Sequence, residues 1–245
     1  MKILRKILNS TSKMITKFIM MSVCAIICIT YLASTYADIN DHTNQQIEAF
    51  IKQTIPHNEL NISASHEVVL EINHIIHSFS SIDDIRNAIK RMNELKATIT
   101  QVLQNKKIPV GLMVLPIVES EYKQSLSEHG SSFPAGIWQM VPDTARKYGL
   151  IINGKRDDRL NPQLETVAIS NYLNDLYHQF HDWRLVIIAY KLGDVETSNL
   201  LNKVKSHDPI VLLQSSYAPA DLKKYITKID SIVIIMHNPA LIGLK

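Results

Sequence analysis

The stretch VLPIVESEYKQ, residues 114–124, carries a carboxylate, Glu119, at the end of an almost unbroken apolar run. On a helix, at about 100° per residue, Leu112, Leu115, Glu119 and Tyr122 fall in one sector. Glu121 points to the opposite side, toward solvent. A carboxyl set among apolar side chains loses hydration, and its charged form suffers most, so its pKa should rise. Such a group can hold a proton near neutral pH and deliver it, as the general acid of a glycosidase does. A plain solvent-facing glutamate at a helix end fits these residues too.

The elements that must position Glu119 read as helices. The segment HEVVLEINHIIHSF and the segment SIDDIRNAIKRMNELKATITQVLQ place Ile82, Ile85, Ile89, Met92 and Leu95 at helical spacing. Ser80 or Ser81 is placed to cap the second, with Asp83 and Asp84 favouring its N-terminus. A third helix is predicted from Pro109 through Tyr122. A loop with Gly and Ser follows (127–136), then a short helix after Pro142. Asn161 caps the next helix, Pro162 is its first residue, and Ile169, Leu173, Leu176 and Phe180 form its apolar stripe. Asp182 caps, and Gly193 stops, a helix over HDWRLVIIAYKLG. One more is predicted around Leu222–Met236. LIINGK, residues 150–155, is the sole β-like stretch. The expected fold class is therefore mainly α.

Four short motifs occur in order: ES at 119–120, GIWQM at 136–140, DDRLNP at 157–162 and AYKLG at 189–193. Together they resemble the soluble lytic transglycosylase domain, a relative of goose-type lysozyme. That family shows a catalytic Glu followed by Ser, then Gly-Leu-Trp-Gln or Gly-Leu-Met-Gln, then Ala-Tyr-Asn-Ala-Gly. The resemblance spans roughly 105–200. The tail YAPADLKKYITKIDSIVIIMHNPALIG is similar to the segment that follows this domain in membrane-bound murein transglycosylases of the D type. The implied architecture has a signal peptide or membrane anchor at 1–37 and a helical arm at 38–105. A lysozyme-like transglycosylase domain follows at 106–205, with a helical extension at 206–245.

The resemblance implies cleavage of the β-1,4 bond between N-acetylmuramic acid and N-acetylglucosamine in peptidoglycan, leaving 1,6-anhydro ends. Glu119 would protonate the leaving oxygen and then, as carboxylate, act as base on the sugar's C6 hydroxyl. By the same implication Ser120, Trp138, Gln139, Tyr190 and Tyr225 are substrate-binding residues. Tyr190 would hold the Glu119 carboxyl by a hydrogen bond. Trp138 would pack under the site or face the saccharide. Asp158 and Arg159 would brace the loop as a pair. No cofactor and no metal are expected. Glu71, His74 and His77 are spaced for one helix side, but no second ligand cluster accompanies them; His178 and His181 have the same standing.

Three departures from the family pattern bear on activity. Lys191-Leu192 replaces Asn-Ala. An ammonium within a few Å of Glu119 would weaken it as an acid, unless Lys191 turns outward toward Asp194. Leu192 puts a larger side chain where the family has Ala. The stretch from Glu119 to Gly136 is about two residues longer than the usual pattern, so HGSSFP should bulge. A catalytically attenuated peptidoglycan-binding factor, or a goose-type muramidase that uses water, are the alternatives.

Composition sets the rest. At 46% hydrophobic and 20% charged, the 245 residues suit one globular domain, alone or with an arm. Lys2, Arg5, Lys6, Lys13 and Lys17 lie in residues 1–37, which hold no acid; beyond them 21 basic residues face 23 acidic ones. No basic face for nucleic acid is implied. The 16-residue apolar run Phe18–Ala33 is shorter than the ~20 residues that span a bilayer. With the small residues of STYA after it, the run reads as an export signal cleaved before Asp38. An uncleaved attachment to the inner membrane through residues 14–33 is the alternative. Either way the expected location is the periplasm, and the partner is the peptidoglycan glycan strand. Cys24 and Cys28 both fall in the signal, so a processed chain would hold no thiol.

Overall fold

Ser78 illustrates how closely the first helices are joined. Its backbone N–H closes α1 (His66–His77) on the His74 carbonyl, and its hydroxyl accepts from Ser81 N to open α2 (Phe79–Asn105). Ser78, two to three residues before the expected caps, therefore starts this helix. The structure, a computed structural model, describes residues 60–63, 65–125 and 132–244. The export segment with Cys24 and Cys28, residues 38–59 of the arm, and residues 126–131, which include the first half of the expected HGSSFP bulge, lie outside the described residues.

A 3-10 turn, Val110–Met113, runs into α3 (Val114–Ser120), so the third helix is shorter than its pattern predicts. Two consecutive left-handed residues, Glu121 (φ 54°) and Tyr122 (φ 59°), end it. Their amides donate to the Ile117 and Pro116 carbonyls, satisfying the helix end. Tyr122 is buried by this turn, and its hydroxyl donates to the Met113 carbonyl at 2.8 Å. Glu121 is only part-exposed and pairs with Lys123 at 2.6 Å.

Of the remaining elements, the helices after Pro142, Asn161 and Asp182 and the one around 222–236 follow the pattern, whereas the helices at Asp194–Val204 and Pro209–Gln214 are not predicted by it. In chain order the elements are α4 (Pro142–Lys147), a two-residue hairpin of β1 (Ile152–Asn153) and β2 (Arg156–Asp157), a 3-10 turn at Asp158–Leu160, α5 (Pro162–Phe180) and α6 (Trp183–Leu192). Then come α7 (Asp194–Val204), α8 (Pro209–Gln214), α9 (Ala220–His237) and a 3-10 turn at Pro239–Ile242. In the hairpin Ile152 opposes Asp157 and Asn153 opposes Arg156, antiparallel. Asn161 accepts from Gln163 N and Leu164 N to cap α5, and Asp182 accepts from Arg184 N and Leu185 N to cap α6. Gly193, at φ 87°, breaks α6 from α7.

The fold is mainly α, as the periodicity predicts. Helix α1 packs on α9 and α2, α2 on α5 and α3, α5 on α6, and α3 on α9. Helix α3 thus lies within the bundle, and Leu112, Val114, Leu115 and Ile117 are fully or almost fully buried there. Each such side chain contributes roughly 1.5–3 kcal/mol by leaving water, which fixes the short helix that carries Glu119. One ionic contact joins the C-terminal helix to this core. Both nitrogens of the Arg184 guanidinium on α6 grip Asp230 on α9, at 2.5 and 2.6 Å, with both side chains nearly inaccessible. Ser63 N donates to the same carboxylate.

Candidate active site

Glu119 stands one residue from the end of α3, at the floor of a cleft of roughly 270 Å³. Gln139, Thr144, Tyr172, Tyr190 and Lys191 are among the other lining residues. The Glu119 side chain is 15% exposed, so it faces the cleft rather than bulk solvent. Its Oε1 is buried and makes no hydrogen bond to a described residue. The Tyr225 hydroxyl, on α9, is likewise buried without a hydrogen bond. Burial first, and the Glu119 charge second, push the Tyr225 phenol well above its ordinary pKa, so it remains a proton donor. The Tyr225 hydroxyl and the Glu119 carboxyl interact electrostatically, and Lys191 pairs with Oε1 at 4.0 Å, so the carboxyl is held by neighbours without a short hydrogen bond to Oε1.

The four motifs converge on one tight turn, residues 135–140. Ala135 and Met140 bond to each other across it through their backbone N–H and C=O groups. Ser120, next to Glu119, donates to the Ile137 carbonyl at 2.6 Å. Gln139 takes a left-handed backbone (φ 52°) and its side-chain amide donates to the Gly136 carbonyl at 2.7 Å. Tyr190 donates through its hydroxyl to the Trp138 carbonyl in a short contact. Arg159 donates to the Phe133 and Met140 carbonyls at 2.7 and 2.9 Å. Gly136 has no alternative: at φ 81°, a Cβ there would come within 2.2 Å of the Arg159 carbonyl oxygen. The motifs recur together because each supplies one bond to this turn, and the turn holds Glu119 against the cleft.

Several residue roles differ from the sequence reading. Tyr190 does not bond the Glu119 carboxyl, because its one proton goes to the Trp138 carbonyl. Trp138 is fully buried and its indole donates to Thr166 at 3.0 Å, so it packs under the site and does not face a saccharide. Arg159 pairs with Asp157, at 2.9 and 2.7 Å, instead of Asp158. Asp158 takes Arg156 and the Ile151 N–H. Both Asp158 and Arg159 do brace the loop, each with another partner. Lys191 turns inward, away from Asp194, with its ammonium 4.0 Å from Glu119 Oε1. It lies over the Tyr225 ring at 4.6 Å. Among the described residues no group of three or more His, Cys, Asp or Glu side chains is placed to hold a metal. Nor is any described helix long and apolar enough to cross a membrane.

Glu165 is the residue that sequence reasoning passed over. It is fully buried, and its two oxygens accept from Ile137 N at 2.8 Å and Trp138 N at 3.1 Å. Its signal was present: Glu165 lies one turn before Ile169 on the apolar stripe of α5. Burial drives its pKa well above the usual carboxylate range, against the pull of the backbone N–H groups of Trp138, Ile137 and Met140 and of the Arg159 charge. A carboxyl raised on folding binds more protons folded than unfolded. Its stabilising contribution is thus full below the ordinary value of about 4.3 and is lost as pH climbs toward the folded value. The stability advantage of wild type over Glu165→Gln should accordingly shrink as pH rises above about 4, as read by thermal unfolding of both.

Residues 97–212 match the sequence model of the family described as Transglycosylase SLT domain. Over that stretch, just under half of its length, the chain is similar to the SLT domain. The match begins inside α2, takes in every one of the four motifs, and ends in α8, before Tyr225. Over 144 residues, 58% of this chain, the sequence is 28% identical to the membrane-bound lytic murein transglycosylase D of Escherichia coli strain K12. The counterpart from Escherichia coli O6:H1 matches equally. The alignment covers 31% of each of these two relatives, so the chain spans about a third of their length. Among solved structures, an inactive mutant of the lytic transglycosylase Slt from Pseudomonas aeruginosa aligns over 61% of this chain and 25% of its own, at 18% identity and TM-score 0.47.

Proposed function

We propose that this protein is a peptidoglycan lytic transglycosylase in which Glu119 is the single acid and base. The observation that carries the reading is a lone carboxylate, part-buried with one oxygen free of hydrogen bonds, in a cleft whose wall the motif residues build. Glu119 protonates the oxygen that leaves as the N-acetylmuramic acid to N-acetylglucosamine bond breaks. The muramoyl acetamido group supports the positive charge that develops at C1. The Glu119 carboxylate then takes the proton of the same sugar's C6 hydroxyl, whose oxygen closes onto C1. The 1,6-anhydro product forms without water, and Glu119 regains its proton, ready for another turnover.

A hydrolase with two carboxylates would need a second acid facing the cleft. Glu165 cannot serve, because it is fully buried with both oxygens occupied by backbone N–H groups. Gln139 lines the cleft and is a polar group offered to sugar, whereas the Tyr225 hydroxyl is buried and acts on Glu119, and Ser120 acts through the turn. The domain divisions at 37/38, 105/106 and 205/206, export to the periplasm, and attachment to the inner membrane through residues 14–33 belong to the same reading.

A second reading, an attenuated glycan-binding factor, is favoured by Lys191, which stands 4.0 Å from the proposed acid. Product analysis separates the readings. Purified sacculi incubated with the protein should release muropeptides with 1,6-anhydro ends, detected by mass spectrometry. Products heavier by one water would mark a muramidase, and binding without release would mark the attenuated factor.

A further inference from the structure

We propose that Lys191 binds a carboxylate on the substrate, and that the carboxylate is the free lactyl group of a muramic acid whose stem peptide has been removed. This rests on the transglycosylase reading above and names the strand that it acts on.

Lys191 and Glu119 are the charged side chains among the described residues that line the cleft. The Lys191 side chain is 40% exposed, so its ammonium is hydrated and reachable. Its contact with Glu119, at 4.0 Å, is outside hydrogen-bond range, and it makes no hydrogen bond to a described residue. All three of its donors are therefore open to a ligand. The Tyr225 ring, itself buried, holds the ammonium 4.6 Å from its centroid, so the cation is aimed and not free to wander. A neutral acetamido or hydroxyl group would leave that charge unmatched, whereas a carboxylate meets both the charge and the donors.

Position narrows the source. A carboxylate held so near the proposed acid must lie within a few bonds of the cleaved linkage. On a muramic acid the lactyl ether is on the ring whose C1 is attacked. Its carboxyl is an amide when a stem peptide is attached, and an anion when the peptide is gone. The carboxylates of the peptide itself lie at least one residue further out. The class of reaction that must supply this substrate is thus hydrolysis of the amide between lactyl group and stem peptide.

The test uses the full chain and three glycan preparations from the same sacculi: peptide-bearing strands, peptide-free strands, and peptide-free strands with carboxyls converted to amides. Wild type should cleave the peptide-free strands with a kcat/KM about tenfold above the other two, the size of one charge-assisted contact. Lys191→Met should level the three, and Lys191→Arg should keep the order. Pelleting of the Glu119→Gln protein with each glycan gives the same comparison without turnover. Equal cleavage of free and amidated strands by wild type, or a preference that survives Lys191→Met, would overturn the assignment. A Lys191-dependent preference for peptide-bearing strands would move the ligand to the stem peptide and sink the lactyl assignment. Ordered binding with no cleavage of any strand would leave the Lys191 site standing and remove the transglycosylase reading instead.

Discussion

Glu119→Gln is expected to abolish release of anhydro-muropeptides from sacculi, with a loss of at least ~10³-fold, while the protein remains folded. A positioned general acid contributes about 10²–10⁴-fold, and here one group serves both proton transfers. The cleft lining holds no other carboxylate among the described residues. The amide is nearly isosteric and the replaced Oε1 has no hydrogen-bond partner to lose, so the melting temperature should hardly move. Chromatography of soluble products, with far-UV circular dichroism and thermal unfolding as controls, decides it. Full activity of the variant on sacculi would show that another group carries the chemistry.

Asp230→Ala should have the largest effect on stability. Arg184 and Asp230 are both nearly inaccessible and bonded twice to each other, between α6 and α9. Removing one partner leaves the other charge buried without compensation, which costs about 3–5 kcal/mol. For a chain of this size that is a fall of ~10 °C or more in the melting temperature. The pair replaced together by apolar groups, Arg184→Met with Asp230→Leu, should recover most of the loss, because no charge then remains to be solvated. A calorimetric series over wild type, both single variants and the double variant measures the coupling. Additive losses would show that the ion pair is not the cause. The same contact bears on the site, since α9 carries Tyr225 beside Glu119 and α6 carries Tyr190 and Lys191.

Asn161-Pro162 and Asp182 show how much of this fold is legible in the sequence. Each predicts a helix start through a side chain that accepts the first free N–H groups, and each cap is present. Such signals are local: a cap needs only residues two or three positions away. Tyr122 shows where local reading ended. Its apolar spacing suited a continued helix, but two left-handed residues stop the helix and bury the ring by another route. Glu165 was missed for a related reason. A carboxylate on a buried stripe looks like an interruption until the turn at 135–140, about thirty residues earlier, brings two N–H donors to it.

The order of the four motifs, the helical periods and the caps follow from the sequence alone, because neighbouring residues determine them. So did the choice of Glu119 as the carboxylate to watch, since its apolar neighbours are adjacent in the chain. The packing of four distant segments decided what each motif residue does. Ser120, Trp138, Tyr190 and Arg159 are committed to one turn, and Lys191 faces inward to Glu119 and Tyr225. A hydroxyl or ammonium can bond in several directions, and only the position of its partners in space selects one.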